Sequence, residues 1–179
     1  MTKTTRLITG LALAASVGTE LRAQQAINSR FAAGAQTPVL IGFVEGEARL
    51  AVRQAIDGAA APLSRPGCRE ILSDFADESG QKLQAKLQAT GRSPAHALTA
   101  LRFFDDRAAP QCQDSTVMAF THPGSQVIRV CGRQFRDRDR GAAEIIVMHE
   151  FLHALGLGEN PPTSRDITER VTARCGDRC

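Results

Sequence analysis

His149, Glu150 and His153 are the residues of this chain whose types and spacing could do chemistry together. On a helix, positions four apart share a face, so His149 and His153 would aim their imidazoles at one point. Two neutral ring nitrogens about 2 Å from one ion make half of a tetrahedral zinc site. Glu150 follows the first histidine directly, which swings its carboxylate beside the coordination position left open for water. Zinc lowers the pKa of such a water towards ~7, and a neighbouring carboxylate can take its proton as attack on a carbonyl begins. The chemistry on offer is metal-assisted hydrolysis, with His149 and His153 as ligands and Glu150 as general base. Two of the chain's four histidines fall within this single turn, which the packing of an ordinary helix does not require.

The run His149-Glu150-Phe151-Leu152-His153-Ala154-Leu155-Gly156-Leu157-Gly158-Glu159 resembles the extended zinc-binding motif of metzincin-like peptidases within the zincins. The resemblance implies a sharp turn at Gly156 that brings a third ligand to the metal three residues later. Relatives carry histidine or aspartate there; this chain carries Glu159, and a carboxylate is an acceptable zinc ligand. Glu169, Asp166 and His122 stay open as alternatives. Thr163 and Asp166 read as a capping box, which would engage Asp166 with backbone amides. His122 lies in a His-Pro-Gly-Ser turn, and Glu169 falls off the apolar stripe of the last helix. Residues 160–164 and the strands before the metal helix are similar, more loosely, to small exported bacterial metallopeptidases. Two parts of the family pattern are missing, since no methionine lies beyond Met148 and the chain has no tyrosine. An electrophilic helper would then be His122, Arg129 or Arg165.

What the resemblance implies is a minimal, divergent zincin-like domain that uses zinc (Zn2+) to hydrolyse amide bonds of a peptide or protein substrate. In such folds an edge strand beside the site pairs with extended substrate, a role open to residues 116–120 or 127–131. The rival reading is a secreted, non-catalytic binding domain that keeps the metal helix.

The metal helix must be held by its own start and stop signals and by its neighbours. Residues 142–155 carry Ile145, Met148, Leu152 and Leu155 at three- and four-residue intervals, a predicted core stripe separate from the metal face. Asp139 is the expected N-cap and Gly156 the left-handed stop. Before it, residues 116–121 and 126–131 are β-branched and apolar runs flanking His122-Pro123-Gly124-Ser125, a predicted β-hairpin. Short strands are expected at Phe103-Phe104 and over 39–44. Helical spacing from Glu47 puts Leu50, Ala51, Ala55 and Ile56 on one side. Further helices are expected over 68–75, over 81–89, and from Ser93-Pro94 to about Leu101. After Thr163, Ile167, Val171 and Cys175 mark a last helix. The predicted fold class is α+β over residues 41–179: a helical N-terminal part, a β-hairpin or small sheet, the active-site helix and a short C-terminal helix.

Composition narrows the partners. A chain of 179 residues with 42% hydrophobic content suits one domain. Its net charge is +3 and it has neither tryptophan nor tyrosine. Arginine alternates with aspartate over 136–140, so neither a phosphate-binding patch nor a base-stacking surface is expected, and no nucleic acid partner. Lys3 and Arg6 precede an apolar run over 7–17, which reads as a signal peptide (1–23) cut after Ala23. That run is too short to span a bilayer comfortably, and residues 24–40 read as a lead-in segment. The expected location is secreted or periplasmic, with no membrane association after signal removal. Cys68, Cys112, Cys131, Cys175 and Cys179 all lie beyond the cut, where disulfides are the default. The preferred pairing is Cys112 with Cys131 and Cys68 with Cys175, leaving Cys179 over, although other pairings are open.

Overall fold

Short β-branched and aromatic runs supply the sheet, and small-residue helices close over it. The computed structural model describes residues 37–44 and 46–176; the predicted signal peptide, residues 24–36 of the lead-in and Cys179 lie outside the described residues. Strands β1 (Val39–Ile41), β2 (Arg102–Asp105), β3 (Ala119–Phe120) and β4 (Val127–Val130) form one sheet in the order β1-β2-β4-β3. β1 and β4 run parallel to β2, with Phe103 opposite Ile128, and β3 runs antiparallel to β4, with Phe120 opposite Arg129. The hairpin is therefore present, its first strand trimmed to two residues. Phe103 and Ile128 are both buried and anchor the sheet to the core.

Helix α1 (Gly46–Ala60) buries Ala48, Val52, Ala55, Ile56 and Ala59. This differs from the predicted face: Leu50 is 58% exposed, because small side chains let α1 lie close to its neighbours. The single helix expected over 68–75 is two, α2 (Pro66–Arg69) and α3 (Ile71–Asp74). Then come α4 (Leu83–Ala89), starting later than expected because Lys82 bridges to Ala76, and α5 (Pro94–Thr99). Ser93 Oγ caps α5 by accepting from the His96 amide. A short helix, α6 (Gly132–Arg136), is an addition; its one large apolar residue, Phe135, is too little for a periodicity to register, yet it is buried. The buried Asp105 carboxylate at the end of β2 accepts from the Gly132 amide and so seats α6 on the sheet.

Helix α7 (Arg140–Ala154) carries the motif, and α8 (Ser164–Cys175) ends the described chain. The separate core stripe predicted for α7 is only partly right. Every residue from Val147 to Ala154 is buried, whereas Ile145 and Leu155 are half-buried. The reason is position, since α1, α8, β3 and β4 all pack against α7. The architecture is α+β, as its patterning predicts.

Two disulfides, Cys68–Cys175 and Cys112–Cys131, join the preferred pairs. They fit an oxidising, extracellular setting, and among the described residues no helix is long and apolar enough to cross a membrane. The first fastens the end of α8 to α2. Arg174 reinforces it by donating to both oxygens of Asp74 at 2.9 and 3.0 Å, and Arg65 donates to the Cys175 carbonyl at 3.0 Å. Chain-entropy reasoning ranks the two cross-links by the loops they close, spanning 107 and 19 residues. Replacing Cys68 and Cys175 by alanine is expected to cost about 5 kcal/mol of unfolding free energy, and replacing Cys112 and Cys131 about 3 kcal/mol. Urea unfolding of the two double variants checks that order.

Candidate metal centre

Helix α7 is delivered to the site by caps at both ends. At its start the Asp139 carboxylate accepts from the Ala142 amide at 2.9 Å. At its end the Gly156 amide donates to the His153 carbonyl at 2.7 Å and the Leu157 amide to the Leu152 carbonyl at 3.1 Å. This paired pattern is a Schellman reversal, which needs a left-handed residue; Gly156 supplies it at φ +111°. A side chain at Gly156 would be strained by this backbone conformation and would also displace the Lys86 ammonium, which stands 2.5 Å from where a Cβ would lie. Leu157 tucks into the core behind the reversal, and two residues later Glu159 comes back over the helix end.

The result is a triangle of ligand atoms. His149 Nε2 lies 3.0 Å from His153 Nε2, and Glu159 Oε1 lies 3.2 Å from His153 Nε2 and 3.5 Å from His149 Nε2. Tetrahedral zinc with bonds of 2.0–2.1 Å holds its ligand atoms roughly 3.3–3.4 Å apart. All three edges lie close to that figure. Among the described residues this is the one cluster of three or more histidine, cysteine or acidic side chains converging at metal-ligand spacing.

The partners behind the rings set their tautomers. His153 Nδ1 lies 2.7 Å from the Leu157 carbonyl, which can only accept, so the ring proton sits on Nδ1 and Nε2 presents a lone pair. His149 Nδ1 lies 2.9 Å from Thr168 Oγ1 on α8, which can accept its hydrogen in the same way. Burial, with the adjacent His153 acting in the same direction, holds the pKa of His149 down to about 4, while Glu159 pulls against both. Neutral imidazoles are what a divalent cation requires. The two rings are buried while the Glu159 side chain is 50% exposed, so the triangle opens to solvent on one side.

Glu150 is buried on the same turn. Burial pushes its carboxyl up to about 8, the Glu159 charge adds to the rise, and the Thr121 hydroxyl beside it pulls downward. That hydroxyl lies near the carboxyl without meeting hydrogen-bond geometry; Thr121 Oγ1 and Glu150 Oε2 are both enclosed and without a partner. A cation at the triangle would oppose the rise by attraction.

The alternative third ligands are engaged elsewhere. Asp166 Oδ2 accepts from the Thr163 amide at 3.0 Å and the Thr163 hydroxyl at 2.7 Å, the capping box expected at the start of α8. Glu169 pairs with Arg165 at 2.7 Å. His122 is exposed in the hairpin turn. Of the candidate electrophilic helpers, Arg129 is paired with Asp106 and Arg165 with Glu169. Thr168 and Thr121 escaped the sequence reading; the only signal for Thr168 was its place beside the buried stripe of α8. Comparison with known proteins returns no match, whether among family models, curated sequences or solved structures.

Two outcomes are expected. Thr168→Val should weaken zinc binding about 10–100-fold in chelator competition with the fold intact, because the His149 tautomer loses its acceptor. The second concerns the support beneath the reversal, where Asp77 meets Lys86 at 2.8 Å and accepts from Ser79 and Gln81. The Lys86 hydrogen bond, followed by that from Ser79, holds the Asp77 carboxyl well below the usual carboxylate range. A depressed folded value means stability present above the unfolded value and lost as pH falls through the folded one. Asp77→Asn should therefore flatten the loss of stability between about pH 5 and pH 2, read by denaturant unfolding at each pH.

Proposed function

We propose that this protein is an exported zinc-dependent peptidase in which His149, His153 and Glu159 hold the metal and Glu150 is the general base. The observation that carries the reading is the triangle of two imidazole nitrogens and one carboxylate oxygen at 3.0–3.5 Å, with a buried acid on the same helical turn. Zinc, when bound, supplies Lewis-acid polarisation of a carbonyl and a water whose pKa falls towards ~7. Glu150 takes a proton from the attacking water as its oxygen bonds to the carbonyl carbon. It then passes that proton to the amide nitrogen as the C–N bond breaks. The zincin-like resemblance of the motif supports the same assignment, and the signal-like N-terminus together with the disulfides supports export to a secreted or periplasmic location.

Two features suit a peptide. β3 has β4 on one side and, among the described residues, no strand on the other, so an extended chain can add to that edge. A cavity of about 480 Å³ adjoins His149 and Glu150, walled by Val117, Met118, Ala142, Ile145 and Ile146; it would take an apolar side chain next to the cleaved bond. The engagement of Arg129 and Arg165 by carboxylates favours the rival reading, a secreted binding domain that holds metal without turnover. Glu150→Gln decides between them. It should keep one zinc and lower kcat on a mixed peptide library by about 10²–10⁴-fold, while His149→Ala loses the metal. Undiminished cleavage by Glu150→Gln would remove Glu150 from the mechanism, and a zinc-loaded wild type that cleaves nothing in the library leaves the binding domain.

A further inference from the structure

Thr121 stands where packing alone has no use for a hydroxyl. Its Oγ1 and Glu150 Oε2 are both fully enclosed and lack hydrogen-bond partners among the described residues, although fewer than about one buried polar group in ten is left so. Valine would fill the same β-branched shape without the polar atom. Nor is Thr121 placed by accident. It follows β3, whose Phe120 is in register with Arg129 of β4. Three residues on, the Gly124 amide donates to the carbonyl of His153 at 2.8 Å, fastening the hairpin turn to the end of α7. Those two attachments hold the segment carrying Thr121 against α7, and its hydroxyl is among the groups acting on the Glu150 carboxyl.

We propose that Thr121 is a positioning residue for Glu150, its hydroxyl hydrogen donated to Oε2 as the carboxyl takes up its working position. The inference rests on the hydrolytic reading above. A carboxylate with one oxygen held keeps the other directed at the water it must deprotonate, and a misplacement of about 1 Å there can cost a hundredfold in rate. The arrangement also makes a trade. The orphaned hydroxyl opposes stability while it has no partner and contributes only once it reaches Oε2.

That trade separates positioning from structure. In the zinc-loaded full-length protein, Thr121→Val should lower kcat about 10–100-fold with KM within about twofold and zinc content unchanged. Thr121→Ser, which restores the hydroxyl, should return kcat to within about threefold of wild type. The metal-free Thr121→Val protein should melt at or up to about 4 °C above wild type. A structural role gives the opposite, with a lowered melting temperature and a loss of activity that follows it. Wild-type kcat in Thr121→Val, or failure of Thr121→Ser to restore it, overturns the proposal. Should the wild type cleave nothing, the carboxyl carbon resonance of Glu150 in the full-length protein, compared between variants under one condition, still decides. Movement in Thr121→Val but not in Thr121→Ser supports the contact even as hydrolysis fails, and an unmoved resonance overturns it.

Discussion

Three lone-pair-bearing atoms held 3.0–3.5 Å apart repel one another unless positive charge lies between them. The rest of the structure can be understood as what is needed to hold them there. Helical geometry brings His149 and His153 together without assistance. Glu159 is different, because the chain must reverse past the helix end within a few residues to return its carboxylate. The Schellman bonds at Gly156 and Leu157 make that reversal, and the Leu157 carbonyl then serves a second purpose as acceptor for His153 Nδ1. One turn both delivers the third ligand atom and sets the tautomer of the second.

Such crowding has to be offset by packing elsewhere. A helix with His149, Glu150 and His153 all buried is a poor core element by its polar residues. Its apolar residues compensate by being buried on the remaining sides, and Met148, Phe151 and Leu152 all join the main core. The neighbours are fastened accordingly. Helix α8, which supplies Thr168 to His149, is tied through Cys175 to Cys68 and through Arg174 to Asp74. The disulfide-linked C-terminal helix is thus part of the support of the His149, His153 and Glu159 triangle, and not an appendage.

The grouping of the candidate site's residues was more legible in the sequence than the details of the fold around it, for a physical reason. Ligand spacing on a helix, a glycine at a reversal and a capping box are local, so His149, His153, Glu159, Gly156 and the Thr163–Asp166 pair could each be read from neighbouring residues. Thr168 and Thr121 stand 19 and 29 positions from His149 and Glu150 in sequence, and a threonine carries no pattern that announces a neighbour so distant. The same limit explains the helices. The buried face of α1 departs from its hydrophobic stripe because Leu50 outweighs Ala48 and Ala59 in hydrophobicity, while close packing selects the small residues. The core stripe of α7 was drawn too narrowly because periodicity assumes one solvent face, and this helix is enclosed by four elements. Helix α6 left almost no signal, since one buried Phe135 cannot define a period.

The hairpin shows how so short a chain can serve several needs with few residues. β3 contributes only Ala119 and Phe120 to the sheet, too little to hold an outer strand by ladder bonds alone. Its position is set from both ends instead. The Cys112–Cys131 disulfide and the Cys131 amide donating to the Met118 carbonyl at 2.8 Å fix the approach. The Gly124 amide on the His153 carbonyl fixes the turn. Between those anchors lie the edge open to an extended chain, the Val117 and Met118 wall of the apolar cavity, and the hydroxyl of Thr121. A longer ladder would have stabilised the strand directly; cross-linking and docking onto α7 achieve the same placement while leaving the outer edge without a neighbouring strand among the described residues, the condition for strand addition.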